Sequence, residues 1–235
     1  MKITYIGHSG FLVETADCYY IFDYFKGTLP AFQPEKPVLV FSSHAHHDHY
    51  NPAVFDALHA MGMRCITAVL SDDIPADQYP QNSENLTIIP VACRQTYDLP
   101  CRATLHTLRS TDEGVAFLLQ TTEGILYHAG DLNDWVWAEE TEEYNHQMTE
   151  NYRREIDLLD EYRQDYLDGR PIDAAFLPLD PRQDEDYACG MRHFLETVPV
   201  LAAYPMHFWD QPDVIDRFLS DYPQYAHLVQ KCSAL

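Results

Sequence analysis

The chain is short of positive charge. Its 235 residues carry 15 Lys and Arg against 37 Asp and Glu, a formal net charge of −22. Such a surface repels nucleic-acid phosphates and anionic lipid, so neither nucleic acid nor membrane is expected as a partner. A small anionic substrate remains open, because a bound metal reverses the local sign. Cysteine never occurs as a Cys-x-x-Cys pair; Cys18, Cys65, Cys93, Cys101, Cys189 and Cys232 stand apart. No signal-peptide pattern leads into the first strand, and the expectation is reduced thiols in a cytoplasmic protein. No apolar run approaches the length of a membrane span. Internal repeats and low-complexity segments are missing. So are a Gly-x-Ser-x-Gly element and a cysteine-centred cluster, which removes the obvious covalent mechanisms. The remaining bulk, 46% apolar, suits one domain of the larger α/β kind over residues 1–235.

What the chain does have is histidine and aspartate at short spacing, in Ser43-His44-Ala45-His46-His47-Asp48-His49-Tyr50. The apolar run from Pro37 to Phe41 reads as a buried strand leading into it. A helix start follows, with Asn51 as a cap and Pro52 at the first helical position. The segment is thus a loop between strand and helix. Side chains two apart on extended chain point the same way. His44 and His46 therefore form a pair for one metal, while Asp48 and His49, past the turn, face a second. The alternative is a polar loop whose histidines cap the helix. Clustered His and Asp at this spacing favour the metal. Imidazole and carboxylate without thiolate suit Zn, one or two ions, or Mn or Fe in its place.

These residues resemble the signature of the metallo-β-lactamase superfamily, and Gly7-His8 resembles a pair near the site entrance in its ascorbate-phosphate-lactonase-like branch. The resemblance runs from about Met1 to Phe208. It implies a four-layer αββα sandwich, two mixed sheets packed together with helices outside. It also implies that Asp23, at the end of the third strand, supports the metal loop. An ordinary strand-end Asp is the alternative there, and a solvent-exposed turn histidine is the alternative for His8. Asp131, in His128-Ala129-Gly130-Asp131 after a hairpin, resembles the family's Asp that bridges two metals or binds the one present. His207, after the strand at Val200 to Tyr204, resembles the last ligand. The implied metal set is His44, His46, Asp48, His49, Asp131 and His207.

One position departs from the pattern. The family carries a further histidine after a strand like Ala103 to Leu108, and here the loop reads Leu108-Arg109-Ser110-Thr111-Asp112-Glu113-Gly114. Arg109 or Ser110 takes the histidine's place. Asp112 can offer an oxygen, or one site is weakened. His106 lies close in sequence and is read as a strand histidine with its own partners.

Residues 131–168 are the least family-like part, read as an acidic helical insertion over about 132–168. Tyr152, Ile156, Leu159, Tyr162 and Tyr166 make one apolar helical face. Trp135 and Trp137 follow Asp131 closely and either wall a substrate pocket or pack into the core. Asp210 is read as the cap of a final helix whose face is Val214, Ile215, Phe218, Leu219 and Tyr222.

The resemblance implies a metallo-hydrolase. Metal would activate a water against a small, anionic or phosphorylated lactone, ester or phosphodiester. Asp48 is the candidate catalytic residue, orienting the water or taking its proton. Trp135, Trp137 and Asp112 are the candidate substrate contacts. The rival from another class is a metal-binding sensor or partner protein with a degenerate site. A redox role as in the family's di-iron branch is a third reading. Oligomeric state is not readable from the residues.

Overall fold

The computed structural model describes residues 1–81 and 84–231. The first sheet runs, in spatial order, β1 (Lys2–Gly7), β2 (Gly10–Glu14), β3 (Tyr19–Phe22), β4 (Val38–Ser42), β5 (Ile66–Ser71) and β6 (Leu86–Val91). In the second, β7 (Thr96–Leu99), β8 (Ala103–Arg109), β9 (Val115–Gln120), β10 (Ile125–His128), β11 (Ala174–Pro178) and β12 (Ala203–Met206) are neighbours in chain order. Both sheets open with antiparallel hairpins and finish with parallel strands. The change falls between β3 and β4 in one and between β10 and β11 in the other. Four helices are described: α1 (Ala53–Ala60), α2 (Glu142–Tyr166), α3 (Cys189–Thr197) and α4 (Asp213–Asp221).

Strand alternation builds the layers. Tyr20 and Phe22 of β3, with Leu39 and Phe41 of β4, point into the space between the sheets. Tyr19 and Ile21, with Val38 and Val40, point the other way and pack on Val54, Phe55 and Leu58 of α1. Because both faces are covered, these strands read as continuous apolar runs. An aromatic row fills the gap between sheets: Phe22 to Phe41 at 4.8 Å, Phe41 to Phe117 at 5.3 Å and Phe11 to Phe176 at 4.4 Å between ring centroids. Apolar residues of α2, α3 and α4 belong to the same cluster, with Tyr127 of β10 stacked on Phe194 of α3. The result is the αββα sandwich.

Sequence and structure differ at a few ends. α1 begins at Ala53, with Pro52 just before it. Asn51 still caps, since its Oδ1 accepts from the Ala53 N–H at 3.0 Å. β5 runs from Ile66 to Ser71, buried throughout. β12 starts at Ala203 rather than Val200, because Val200 makes only an isolated bridge to Ile172 and Leu201 is exposed. Asp210 does not cap α4: the helix begins at Asp213 behind Pro212, which lacks a side-chain acceptor. β7 was not anticipated, its Thr96-Tyr97-Asp98-Leu99 being too short and polar to stand out.

Cys18, Cys65, Cys93, Cys101 and Cys189 are free thiols, and Cys232 lies outside the described residues. Among the described residues no helix is long and apolar enough to cross a membrane.

Candidate metal centre

The carboxyl ends of β3, β4, β10, β11 and β12 open on one edge of the sandwich. Asp23 follows β3, the His44–His49 loop follows β4, Asp131 follows β10, Asp180 follows β11 and His207 follows β12. The β1–β2 turn adds His8 to the same edge. Two glycines let the strand ends close up. Gly114 has φ +68°, and a Cβ there would lie 1.9 Å from the Ser43 carbonyl oxygen. Gly130 has φ +52°, and its Cβ would lie 2.6 Å from that of Ser43. Side chains at either position would push the β4 loop away. Three non-glycine residues of the site, His8, Asp23 and His207, also take left-handed φ, at 54°, 39° and 62°. Each costs on the order of 1 kcal/mol, held in place by the surrounding packing.

Buried carboxylates orient the imidazoles. Asp23 is fully buried; its Oδ1 accepts from the Ser43 N–H at 2.8 Å and its Oδ2 from the Ser43 hydroxyl at 2.7 Å. The same Oδ2 meets His49 Nδ1 at 2.8 Å. His207 Nδ1 meets Asp180 Oδ2 at 2.9 Å. In both histidines the Nδ1 side is thereby occupied and Nε2 faces the cluster. Burial opposes ionisation of Asp23, but the imidazoles of His128 and His49 outweigh it and hold the carboxyl near 2. Burial likewise opposes charge on His49. Asp131, Asp23 and Asp48 around it win, and its pKa rises to about 9. His44 lacks so close a carboxylate, and burial with the nearby His49 takes it down to about 4.

Side-chain nitrogens and oxygens converge in two adjacent groups. His8, Asp48, His49 and His207 form one, and His44, His46 and Asp131 the other, each with its ligand atoms within 4.8 Å of one another. Asp131 joins them: Oδ1 lies 3.2 Å from His49 Nε2 and 3.4 Å from His207 Nε2, while Oδ2 lies 3.6 Å from His44 Nε2. Asp48 Oδ2 is 3.2 Å from His8 Nε2 and 3.9 Å from His49 Nε2.

These residues fit a cation. His44 Nε2, His49 Nε2 and Asp131 Oδ1 are buried and make no hydrogen bond. Leaving such atoms unpaired costs about 1–3 kcal/mol apiece. Bonds of about 2.1 Å to a tetrahedral ion put ligand atoms about 3.4 Å apart, the spacing found around Asp131. Nitrogen and oxygen donors without sulfur suit a first-row divalent ion.

All six residues expected as ligands are therefore brought together. Asp131 reaches both groups. His8 is no exposed turn residue: it is buried, lies 4.4 Å from the His207 ring, and has neither ring nitrogen in a conventional hydrogen bond. His106 lies on β8 away from the cluster, its Nδ1 2.9 Å from Thr96 Oγ1 and its ring 4.8 Å from that of Tyr166. In the altered loop, Arg109 turns outward and its N–H donates to Glu155, a buried side chain of α2. Ser110 Oγ accepts from the Asp112 N–H. Glu113, outside the expected site residues, places Oε2 3.4 Å from Nε2 of the exposed His46.

A cavity of about 330 Å³ opens beside Asp131 and His207. Trp135, Trp137 and Asp112 line it, with Tyr144, Met148 and Arg182. The Trp135 indole N–H donates to the Asp131 carbonyl at 2.9 Å, and its ring stacks parallel to Trp137 at 5.8 Å. Asp112 stands on this wall outside both ligand groups. Burial and the neighbouring Asp131 raise its pKa. Asp180 and Arg182 are site residues that the sequence did not single out. The signal for Asp180 was an acid at the end of a buried strand, the same placement as Asp23.

Residues 2–147 match a family model described as a beta-lactamase superfamily domain. No curated protein matches. Among solved structures, Igni18, a metallo hydrolase from the archaeon Ignicoccus hospitalis, is similar with a TM-score of 0.63 at 17% identity. That match covers 99% of this chain and 94% of Igni18. The metallo-beta-lactamase fold protein YhfI from Bacillus subtilis gives 0.56 at 14% identity, covering 97% and 90%. CmlA, a diiron beta-hydroxylase from Streptomyces venezuelae, gives 0.58 at 11% identity, covering 99% of this chain but 52% of CmlA.

Proposed function

The chain belongs to the beta-lactamase superfamily, and from that premise we propose that it is a metal-dependent hydrolase of a small molecule. The observation that carries the reading is the set of buried, unpaired atoms His44 Nε2, His49 Nε2 and Asp131 Oδ1, aimed at one another across strand ends.

His44, His46 and Asp131 would hold one ion; Asp48, His49 and His207, with Asp131 again, would hold the other. A divalent ion there, Zn in our reading, supplies Lewis acidity and lowers the pKa of water toward about 7. Asp23 and Asp180 keep His49 and His207 in the tautomer that turns a lone pair toward the site. Burial opposes ionisation of Asp48, but the imidazoles of His8 and His49 outweigh it, and its pKa lies well below the usual carboxylate range. A carboxylate at that position orients a water and accepts its proton. His8, 3.2 Å from Asp48, fixes the carboxylate's direction. Trp135 and Trp137 exclude solvent from one side of the reacting group, and Asp112 offers a polar contact. The acidic surface disfavours nucleic acid and membrane as partners, and a cytoplasmic setting with free thiols fits.

Panels of lactones, phosphodiesters and thioesters, assayed after Zn or Mn is restored, test the reading. Turnover of a small ester or lactone, lost with chelator and regained with metal, is expected. Turnover confined to polynucleotides overturns it. A second reading, a sensor or partner with a degenerate site, draws on the exposed His46 and the missing histidine near Ser110. Metal stoichiometry separates the two: two ions per chain favour the enzyme, and none after mild purification favours the sensor.

A further inference from the structure

Arg182 is the one Lys or Arg among the described residues lining the cavity beside Asp131 and His207. Its position is held from three sides. Nε donates to Asp180 at 2.9 Å, and Nη2 donates to Asp180 Oδ2. The guanidinium carbon lies 5.0 Å from the Trp209 ring centroid and 5.8 Å from that of Trp137. Asp180 in turn orients His207, so one carboxylate fixes a candidate metal ligand and this cation together. The clamp uses the Nε–Nη2 edge. The Nη1 donors have no protein partner among the described residues, and the side chain remains 47% exposed.

Arg182 thus keeps the Nη1 donors free while its side chain borders the cavity. Arginine carries five N–H donors in a rigid fork that matches carboxylate and phosphate oxygens. Here its rotamer freedom is already lost to Asp180 and the two indoles, so binding an anion costs little further ordering. Trp137 beside it, with Tyr144 and Met148 in the same lining, is apolar enough for a flat or aliphatic group.

We propose that Arg182 is the anion-recognition residue of this cavity. Its Nη1 edge takes a carboxylate or phosphate oxygen of the substrate while the apolar part lies against Trp137. The proposal rests on the hydrolase reading of the same site and adds to it a substrate class, small molecules with a fixed negative charge away from the scissile bond.

The test is equilibrium binding to the Zn-loaded protein, followed by tryptophan fluorescence. Three ligands that the enzyme cannot hydrolyse are compared: phenylphosphonate, phenylacetate and neutral benzyl alcohol. At least one anion is expected to bind tenfold or more tightly than benzyl alcohol, and the better anion distinguishes a phosphate from a carboxylate substrate. Arg182→Gln should weaken that anion about tenfold, as loss of a charge-assisted pair does. Arg182→Lys should recover part of the affinity, and benzyl alcohol should not respond. Zn content of both variants should equal that of the parent. Unchanged anion binding in Arg182→Gln, an equal loss for benzyl alcohol, or loss of Zn would each overturn the proposal. Turnover is not read here. An anion site that depends on Arg182 in a protein inert on every substrate panel would therefore sink the hydrolase reading alone.

Discussion

His49 and His207 each rest Nδ1 on a buried carboxylate, Asp23 or Asp180, and both rings are almost fully shielded from solvent. His46, in the neighbouring group, has 45% of its side chain exposed, with Glu113 Oε2 3.4 Å from its Nε2. His44 is buried but touches Ser43 Oγ, not a carboxylate. One half of the cluster is thus oriented by charged partners fixed at strand ends. The other half lacks the expected histidine and leans on Asp131. Ligands whose outer nitrogen is tied down pay little entropy on binding an ion. The His49–His207 half should accordingly bind first and hold tighter.

Asp131→Ala should do the greatest damage, since this carboxylate reaches both groups. Hydrolysis should fall by about three orders of magnitude, or about 4 kcal/mol of barrier, and elemental analysis should find neither ion. If one ion stays, the two halves are more independent than Asp131 suggests. Asp180→Ala comes next. It frees His207 without removing a ligand, and metal affinity in competition with a chelator should drop about 10–100-fold. A stoichiometry near two with unchanged affinity would mean that the carboxylate does not distinguish the halves.

His46→Ala is the sharper probe of the comparison. It should cost the weaker ion and leave the other, so metal content falls from two to one per chain. Loss of both would erase the distinction. His106→Ala should change least. Metal content should be unaltered, and the lost Thr96 bond and Tyr166 stacking should cost about 1 kcal/mol in denaturant unfolding. Metal loss from this variant would mean that the histidine's place on β8 is misjudged.

Much of this was readable along the chain. The His44–His49 loop announced itself because its residues are neighbours in sequence, framed by an apolar strand and a capped helix. Alternation was less informative for β3 and β4 than their continuous apolarity, since helix and sheet cover opposite faces. The start of β12 drifted by three residues, because the apolar run from Val200 begins before the first ladder pair at Ala203. The roles of His8, Asp180 and Arg182 were harder to see. Each is a common turn or loop residue in its own segment, and only contacts made across more than a hundred residues, or to a strand end, separate it from an ordinary one. Trp135 and Trp137 stood between two readings until the cavity beside Asp131 was in view.

The order of strands and helices, the acidic surface and the chemical types of the ligands follow from the residues themselves, because apolar spacing and side-chain chemistry are local properties. Which imidazole gains a carboxylate behind it, how Asp131 comes to reach both groups, and that Arg182 borders the cavity were decided by the packing of one sheet on the other. That packing joins residues the chain keeps far apart, and the electrostatics of the site depend on the distances it creates.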